Sequence, residues 1–343
     1  KHFDNAPVFV VEGRGFPVTL RYRPIAGDAE ERSDRALLSG VINAVRELDI
    51  EDPMADILIF FPGEREINDA KRALEKAAFR LTEVVPLYAK LSAAQQELVF
   101  KPGAKRRLVL ASNVAETSIT VPRIRAVIDT GTARIARYSP RSKIERLHIE
   151  DISQASANQR AGRCGRISAG ICVRLYDETS FQLRPAFTDP EILRSSLAGV
   201  LLRMLRLNLG DPRLFPFVEP PDERAINDGF LVLRELGAIS AERTLTDIGR
   251  QMAEFPIDVH YARMLVAAKL TPQLDQTLVL SAGLSIQDPR ERPLEAREQA
   301  QAAHAMFADE RSDFLSLLKL WDAYQHQRVA LKQSQLRDWA KRS

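Results

Sequence analysis

The chain has 343 residues, a length that calls for two or three domains. At 45% hydrophobic and 28% charged residues it excludes a disordered polymer, and no apolar run approaches the roughly 20 residues that a membrane helix needs. The formal net charge is only +3, but residues 101–170 carry 14 Lys/Arg against 5 Asp/Glu, a net of +9 that leaves −6 on the rest. That asymmetry predicts a polyanion-binding face, with nucleic acid as the first candidate. Two cysteines, Cys164 and Cys172, supply neither a disulfide framework nor a cysteine zinc site, and they fit a reducing cytoplasm. The opening residues, Lys1 to Asn5, do not resemble a signal peptide.

In chain order, Val8 to Val11 and Val18 to Tyr22 read as short strands around Gly13 and Gly15. Ser33 or Asp34 caps a predicted helix whose apolar positions Leu37, Leu38, Val41, Val45 and Leu48 keep helical spacing. Asp56 to Phe61 is a continuous apolar run after its first residue, the pattern of a strand buried on both faces of a parallel sheet. Pro62-Gly63 follows it, then a helix pattern over 64–77. Leu81 to Leu87 predicts a strand, Ser92 to Phe100 a capped helix, and Arg106 to Ala111 and Ile124 to Asp129 further strands. Repeated strand–helix units imply a doubly wound sheet with its functional turns at the carboxyl ends of the strands. Those turns are Pro62-Gly63, Ser112-Asn113 and Thr130-Gly131.

Residues 132–150 alternate polar and apolar side chains about Ser139 to Ser142, which predicts a β-hairpin bearing Arg134, Arg137, Arg141, Lys143 and Arg146. Ser153 then caps a helix, and Gly170 to Tyr176 returns to a strand. Thr188-Asp189-Pro190 marks a boundary after which the alternation stops. Helices over 193–205 and 222–236, followed by short apolar stretches at Ala238-Ile239 and Thr244-Leu245, suggest a winged-helix unit. From about Asp258 the pattern is helical only, with Trp321 and Trp339 expected as packing anchors. His260, His304 and His326 make no metal-ligand pattern.

Two segments carry chemistry. Gln159-Arg160-Ala161-Gly162-Arg163-Cys164-Gly165-Arg166 holds three arginines and two glycines, with no acidic residue between Asp151 and Asp177. Arg163 and Arg166, three apart on one expected helix face, can reach one phosphate group, where a guanidinium fork suits the oxygens. Gln159, a turn earlier, can contact the same phosphate or orient a water. Gly162 and Gly165 are expected to let another surface approach closely. The competing reading is a basic helix face in surface ion pairs. The second segment, residues 112–122, crowds hydroxyl and amide side chains into a strand-to-helix turn, which suits a nucleotide or a phosphate backbone; a plain helix cap is the alternative. Cys164 is expected to serve as a small spacer rather than a reactive thiol.

These two segments resemble motifs VI and V of the DEAH-box helicases of superfamily 2, and Phe61-Pro62-Gly63-Glu64-Arg65-Glu66-Ile67 is similar to motif IV. The wording around Arg21-Tyr22-Arg23-Pro24 and from Asp129 to Arg166 is similar to the bacterial HrpA-like branch. The resemblance implies an α/β RecA-like domain over 1–187, a parallel sheet with an inserted β-hairpin. A winged-helix domain over 188–256 and an all-α helical bundle, or ratchet, over 257–343 would follow. It implies Arg163 and Arg166 as arginine fingers with Gln159 at the γ-phosphate, Phe100 stacked on adenine, and Thr120 on the nucleotide side. It implies RNA contacts at Gly63, Asn113 and Thr117, with the hairpin and its Arg137 guiding or separating strands. Two positions depart: Pro122 stands where many relatives carry a ribose-facing aspartate, and Pro62 limits an RNA contact beside Gly63 to the backbone.

No Gly-x-x-x-x-Gly-Lys-Ser/Thr and no Asp-Glu-x-His occurs, so the phosphate-cradling loop and the magnesium carboxylate are not in this chain. The expectation is a carboxyl-terminal fragment of a monomeric, ATP-dependent RNA helicase. Its ATP and Mg2+ would be held largely by a preceding RecA-like domain of the same polypeptide, its partner would be single-stranded RNA, and its reach would not include the membrane. Two other classes compete with it. A stand-alone nucleic-acid-binding or regulatory module would keep the shape without ATP turnover, and a nucleotide-sugar enzyme would need an acid/base pair that the sequence does not show.

Overall fold

The computed structural model describes residues 5–9, 15–25, 34–91, 93–101, 103–117, 120–292 and 296–342, and in these all side chains except those of residues 93, 94 and 117. The chain divides into two units, residues 1–195 and 196–343. The first is built on six parallel strands, β1 (Val18–Tyr22), β2 (Asp56–Phe60), β3 (Thr82–Leu87), β4 (Arg106–Ala111), β5 (Ile124–Asp129) and β8 (Gly170–Arg174). Their order across the sheet is β1-β8-β5-β2-β4-β3. A separate antiparallel hairpin, β6 (Thr132–Ser139) and β7 (Ile144–Asp151), is inserted after β5, with Arg137 opposite Arg146.

The apolar runs are continuous because the sheet is covered on both faces, and alternate residues feed different cores. Ile57 and Ile59 of β2, with Leu108 and Leu110 of β4, pack under α1 (Asp34–Glu51) and α2 (Glu64–Lys76) through Val45, Leu48, Ile67 and Leu74. Leu58 and Phe60, with Val109 and Ala111, face the opposite cluster. That second cluster also takes Val99, which follows the short α3 (Ala93–Glu97), and Ala115 of the one-turn α4 (Val114–Thr117). Val121, Cys172, and Ala161 and Cys164 at and beyond the end of α5 (Gln154–Ala161) complete it. Ser153 caps α5 by accepting from the Ser156 amide at 3.2 Å, and Asp177 caps α6 (Glu178–Leu183).

Three expectations change here. Val8 and Phe9 are 84% and 89% exposed and form no strand; Val10, Val11 and Gly13 lie outside the described residues, as do the expected caps Ser33 and Ser92. The arginine stretch is not one helix face: α5 ends at Ala161, and Arg163 to Arg166 follow in tight turns, with the Arg163 amide on the Arg160 carbonyl at 3.0 Å. Gly165 lets its own chain approach rather than another surface. Its carbonyl accepts from the Phe16 amide at 2.8 Å, and a Cβ on Gly165 would meet the Phe16 oxygen at 2.7 Å.

The second unit contains α7 (Ala198–Arg206), α8 (Glu223–Glu235), α9 (Asp247–Met252), α10 (Val259–Ala268), α11 (Leu274–Ser285), α12 (Arg297–Ala305), α13 (Asp313–Ala330) and α14 (Gln333–Arg342). Between α8 and α9 an antiparallel bridge joins Ile239 and Leu245, the small ribbon expected of a winged helix. Asp222 and Thr246 cap α8 and α9. Helix α9 lies so close to the ribbon that a Cβ on Gly249 would sit 2.0 Å from the Ala238 carbonyl oxygen, with backbone that cannot swing aside. Gly249→Ala is therefore expected to cost this unit about 3 kcal/mol, read as an early-melting transition in thermal unfolding; an unchanged transition would refute the close packing. Trp339 is half-buried and packs edge-on to the buried Phe307, whereas Trp321 is 41% exposed and touches Tyr324. No helix among the described residues is long and apolar enough to cross a membrane.

Candidate nucleotide-phosphate and RNA site

The expected site residues hang from one layer. Val99, Val121 and Cys164 share the second core cluster, and each is a chain neighbour of an expected nucleotide residue: Phe100, Thr120 and Arg163. Phe100 ends the turns after α3 and is 43% exposed, so it is a surface aromatic and not a core one. Thr120 is exposed, and its hydroxyl accepts a hydrogen bond from Arg166 Nη1, which ties the loop after α4 to the arginine turn. Gln159 is exposed on the last turn of α5. Arg163 is half-buried. Burial pushes its guanidinium below its ordinary value, Arg166 beside it pushes the same way, and Glu116 opposes both. Two like charges held this close favour an anion that can neutralise both.

Helix α5 is fixed along its length, which makes the turn beyond it a rigid platform. At its start, Gln154 Nε2 donates to the Arg184 carbonyl at 2.9 Å; in its middle, Asn158 Oδ1 accepts from Arg174 Nη2 at 2.8 Å. Near its end lies a feature that the sequence did not reveal. Arg160 is completely buried, and its Nε donates to Glu116 Oε1 at 2.7 Å and its Nη1 to Asp129 Oδ1 at 2.8 Å. Nη2 reaches the Thr132 carbonyl at 3.2 Å, and the guanidinium lies 4.8 Å from the centre of the Phe60 ring. Burial alone would lower the Arg160 charge; Asp129 and Glu116 outweigh it and leave the group raised. Asp129 also accepts from the Gly131 amide at 2.9 Å and the Tyr176 hydroxyl at 2.8 Å. The local signal was the carboxylate that closes the otherwise apolar end of β5.

Cys164 is enclosed, with Sγ 3.1 Å from the Ala161 carbonyl, and burial pushes its thiol up to about 12. It is the spacer expected from the sequence. Among the described residues no group of three or more His, Cys, Asp and Glu is placed to hold a metal ion.

The expected RNA residues separate. Asn113 is exposed at the carboxyl edge of β4, where its carbonyl accepts from the Glu116 amide at 3.0 Å. Thr117 closes α4, and its side chain lies outside the described set together with Ser118 and Ile119. Two of the others are engaged within the protein. Gly63 caps α2 in an extended conformation but is buried: a Cβ there would touch Arg134 Nε at 2.7 Å, and Arg134 is itself paired with Glu66 at 3.2 Å. Arg137 is clamped by Glu150 at 2.5 and 2.7 Å and by Asp189 at 3.2 Å. The Glu150 hydrogen bonds dominate and hold its charge well above the ordinary value. Arg141, in the turn at the hairpin tip, and Arg146, opposite Arg137 on β7, are exposed.

The basic surplus shrinks on the same account. Arg106, Arg107, Arg123, Arg125 and Arg134 pair with Asp49, Glu83, Asp56, Asp52 and Glu66, all from outside the basic segment.

Comparison with known proteins joins these features. The helicase conserved C-terminal domain matches residues 40–168, and the winged-helix helicase-associated domain (HA2) matches residues 231–257. The chain is 51% identical to the ATP-dependent RNA helicase HrpA of Escherichia coli over 342 residues, 98% of this chain and 26% of that protein. It is likewise 51% identical to the HrpA homolog of Haemophilus influenzae over 344 residues, 98% of this chain and 26% of that one. It spans about a quarter of the length of these curated relatives. The crystal structure of the Escherichia coli DEAH/RHA helicase HrpB superposes with a TM-score of 0.75 at 31% identity, over 93% of this chain and 39% of that one. The parallel sheet, the winged-helix ribbon and these matches agree: the chain carries the conserved C-terminal helicase domain and the associated winged helix, and it corresponds to that part of the HrpA-like DEAH helicases.

Proposed function

We propose that this chain forms one wall of the ATP site of an RNA helicase and part of its RNA grip, and that the full polypeptide couples ATP hydrolysis to movement along single-stranded RNA. The observation that carries the reading is the contact between Arg166 and Thr120, beside Arg163, on the layer that also holds Phe100. In this reading residues 1–187 are the second RecA-like domain, 188–256 the winged helix and 257–343 the helical bundle. Arg163 and Arg166 hold the γ-phosphate and stabilise charge that spreads over its oxygens during transfer. Gln159 contacts the same phosphate or orients the attacking water. Phe100 stacks on the adenine ring. The phosphate-cradling loop, and the protein ligands of the accompanying Mg2+, come from another domain of the polypeptide.

Asn113 and Thr117 hold the RNA backbone, and the hairpin contributes through Arg141 and Arg146 rather than through the clamped Arg137. Contacts of this kind are made to phosphate and weaken with salt. Free thiols at Cys164 and Cys172 suit a reducing compartment such as the cytoplasm, and the enzyme is taken to act as a monomer.

The test compares the full-length protein with this chain alone. RNA-stimulated ATP hydrolysis is expected only in the former; turnover by the isolated chain, or none by the full-length protein, sinks the proposal. In the full-length protein Phe100→Ala is expected to raise the KM for ATP roughly 10-fold, the worth of about 1.4 kcal/mol of stacking, with kcat little changed. An unchanged KM would remove Phe100 from the adenine site. A stand-alone regulatory module predicts neither effect.

A further inference from the structure

Arg160 touches three elements that carry different duties. It belongs to α5, one residue after Gln159 and three before Arg163. Through Nε it grips Glu116, which lies on α4 between Asn113 and Thr120. Through Nη2 it grips the backbone of Thr132, the first residue of the hairpin. The third bond, to Asp129, fixes the guanidinium to the end of β5, and Asp129 is itself held by the Gly131 amide and the Tyr176 hydroxyl. Glu116 is also bound twice to α5, since its second oxygen accepts from Ser156 Oγ at 2.7 Å. The bond to Asp129 is closed to water, since Arg160 and Asp129 are 0% exposed, while Glu116 and Thr132 lie at the partly exposed margin of the network.

A planar guanidinium with fixed donors transmits position, because it cannot turn toward one acceptor without leaving another. Any shift of the arginine turn must therefore be followed by Glu116 and Thr132, or else break charged hydrogen bonds made by a buried guanidinium. On the solvent side Arg166 and Thr120 tie the same two segments together, but that bond exchanges freely with water or with a phosphate oxygen.

We propose that Arg160 is a positioning residue that makes the arginine turn, helix α4 and the base of the hairpin move as one body, so that phosphate bound at Arg163 and Arg166 alters the hold of Asn113 and Thr117 on RNA. The inference rests on the helicase reading above and goes beyond it: it assigns the communication between nucleotide and RNA to one buried side chain that touches neither ligand. The coupling runs in both directions, as linkage requires.

The test uses the full-length protein carrying Arg160→Lys, which keeps the buried positive charge but has a single nitrogen that cannot span Glu116, Asp129 and Thr132. ATP turnover is measured with and without saturating single-stranded RNA, and RNA affinity with and without a non-hydrolysable ATP analogue. Turnover without RNA is expected to stay near that of the wild type. RNA stimulation, and the change in RNA affinity caused by the analogue, are expected to fall by about 5-fold or more. A variant that keeps both couplings overturns the inference. So does one that loses basal and stimulated turnover in equal proportion, since that is the mark of a purely structural role. If Arg160→Lys does not fold, Glu116→Gln, which keeps an oxygen for the guanidinium and removes the charge, is read in the same way. Absence of RNA stimulation in the wild-type protein overturns the helicase reading together with this one, whereas loss confined to the variant bears on Arg160 alone.

Discussion

Replacing Arg163 by alanine in the full-length protein is expected to lower ATP turnover by about 10³-fold or more while RNA binding is largely retained. Arginines that meet a transferring phosphoryl group act on charge that develops only in the transition state, so the loss falls on kcat more than on binding. Arg163 suits the role because it is half-buried, is set just beyond a braced helix, and has its charge opposed by Arg166. Arg166→Ala should show a loss of similar kind, and the double variant should lose less than the product of the two, as expected of two residues proposed to address one phosphate. Steady-state ATP hydrolysis at saturating RNA, with RNA affinity measured on the same samples, checks this. Weakened RNA binding with unchanged turnover would instead make the turn an RNA contact.

The second large effect is on stability. Asp129→Ala removes the acceptor shared by Arg160, Gly131 and Tyr176, and leaves a guanidinium and a phenol hydroxyl buried with fewer partners. Breaking one side of a buried ion pair costs about 3–5 kcal/mol, a large share of the roughly 5–15 kcal/mol that keeps a domain folded. The first unit should therefore unfold at distinctly lower urea, with the transition of the second unit unchanged. Asp129→Asn, which retains one acceptor oxygen, should fall between. An unshifted urea midpoint for the alanine variant would refute the buried network.

What the sequence revealed follows the range of the interactions involved. Strands β2, β4 and β5 are legible because both of their faces are buried, which leaves a run of apolar side chains bounded by polar turns. The hairpin is legible from its alternation, and α5 from its serine cap. The arginine cluster stands out in the sequence, but the end of α5 at Ala161 does not, because the demand on Gly165 comes from Phe16, about 150 residues earlier.

Charge was the least legible property. A surplus counted along the chain takes no account of Asp49, Asp52, Asp56, Glu66 and Glu83, which return in space to neutralise it. Arg160 shows the same limit, since its partners lie 44 and 31 residues away, and nothing near it in sequence marks it as buried rather than as a third finger. The separate fates of Arg137 and Arg141 were hidden for the same reason: strand register and Asp189 decide them, not local composition.

The enclosed thiol of Cys164 makes the arginine turn its own clock. Burial pushes its ionisation up to about 12, so the thiol is protonated at neutral pH, and the sulfur is shut away from solvent. A soluble alkylating reagent can therefore modify it only during excursions in which the turn lifts from the Gly170 backbone against which it lies. The speed of that modification counts how often the arginine-bearing edge breathes, and a ligand that clasps the edge shut would slow it without any label having been added to the protein.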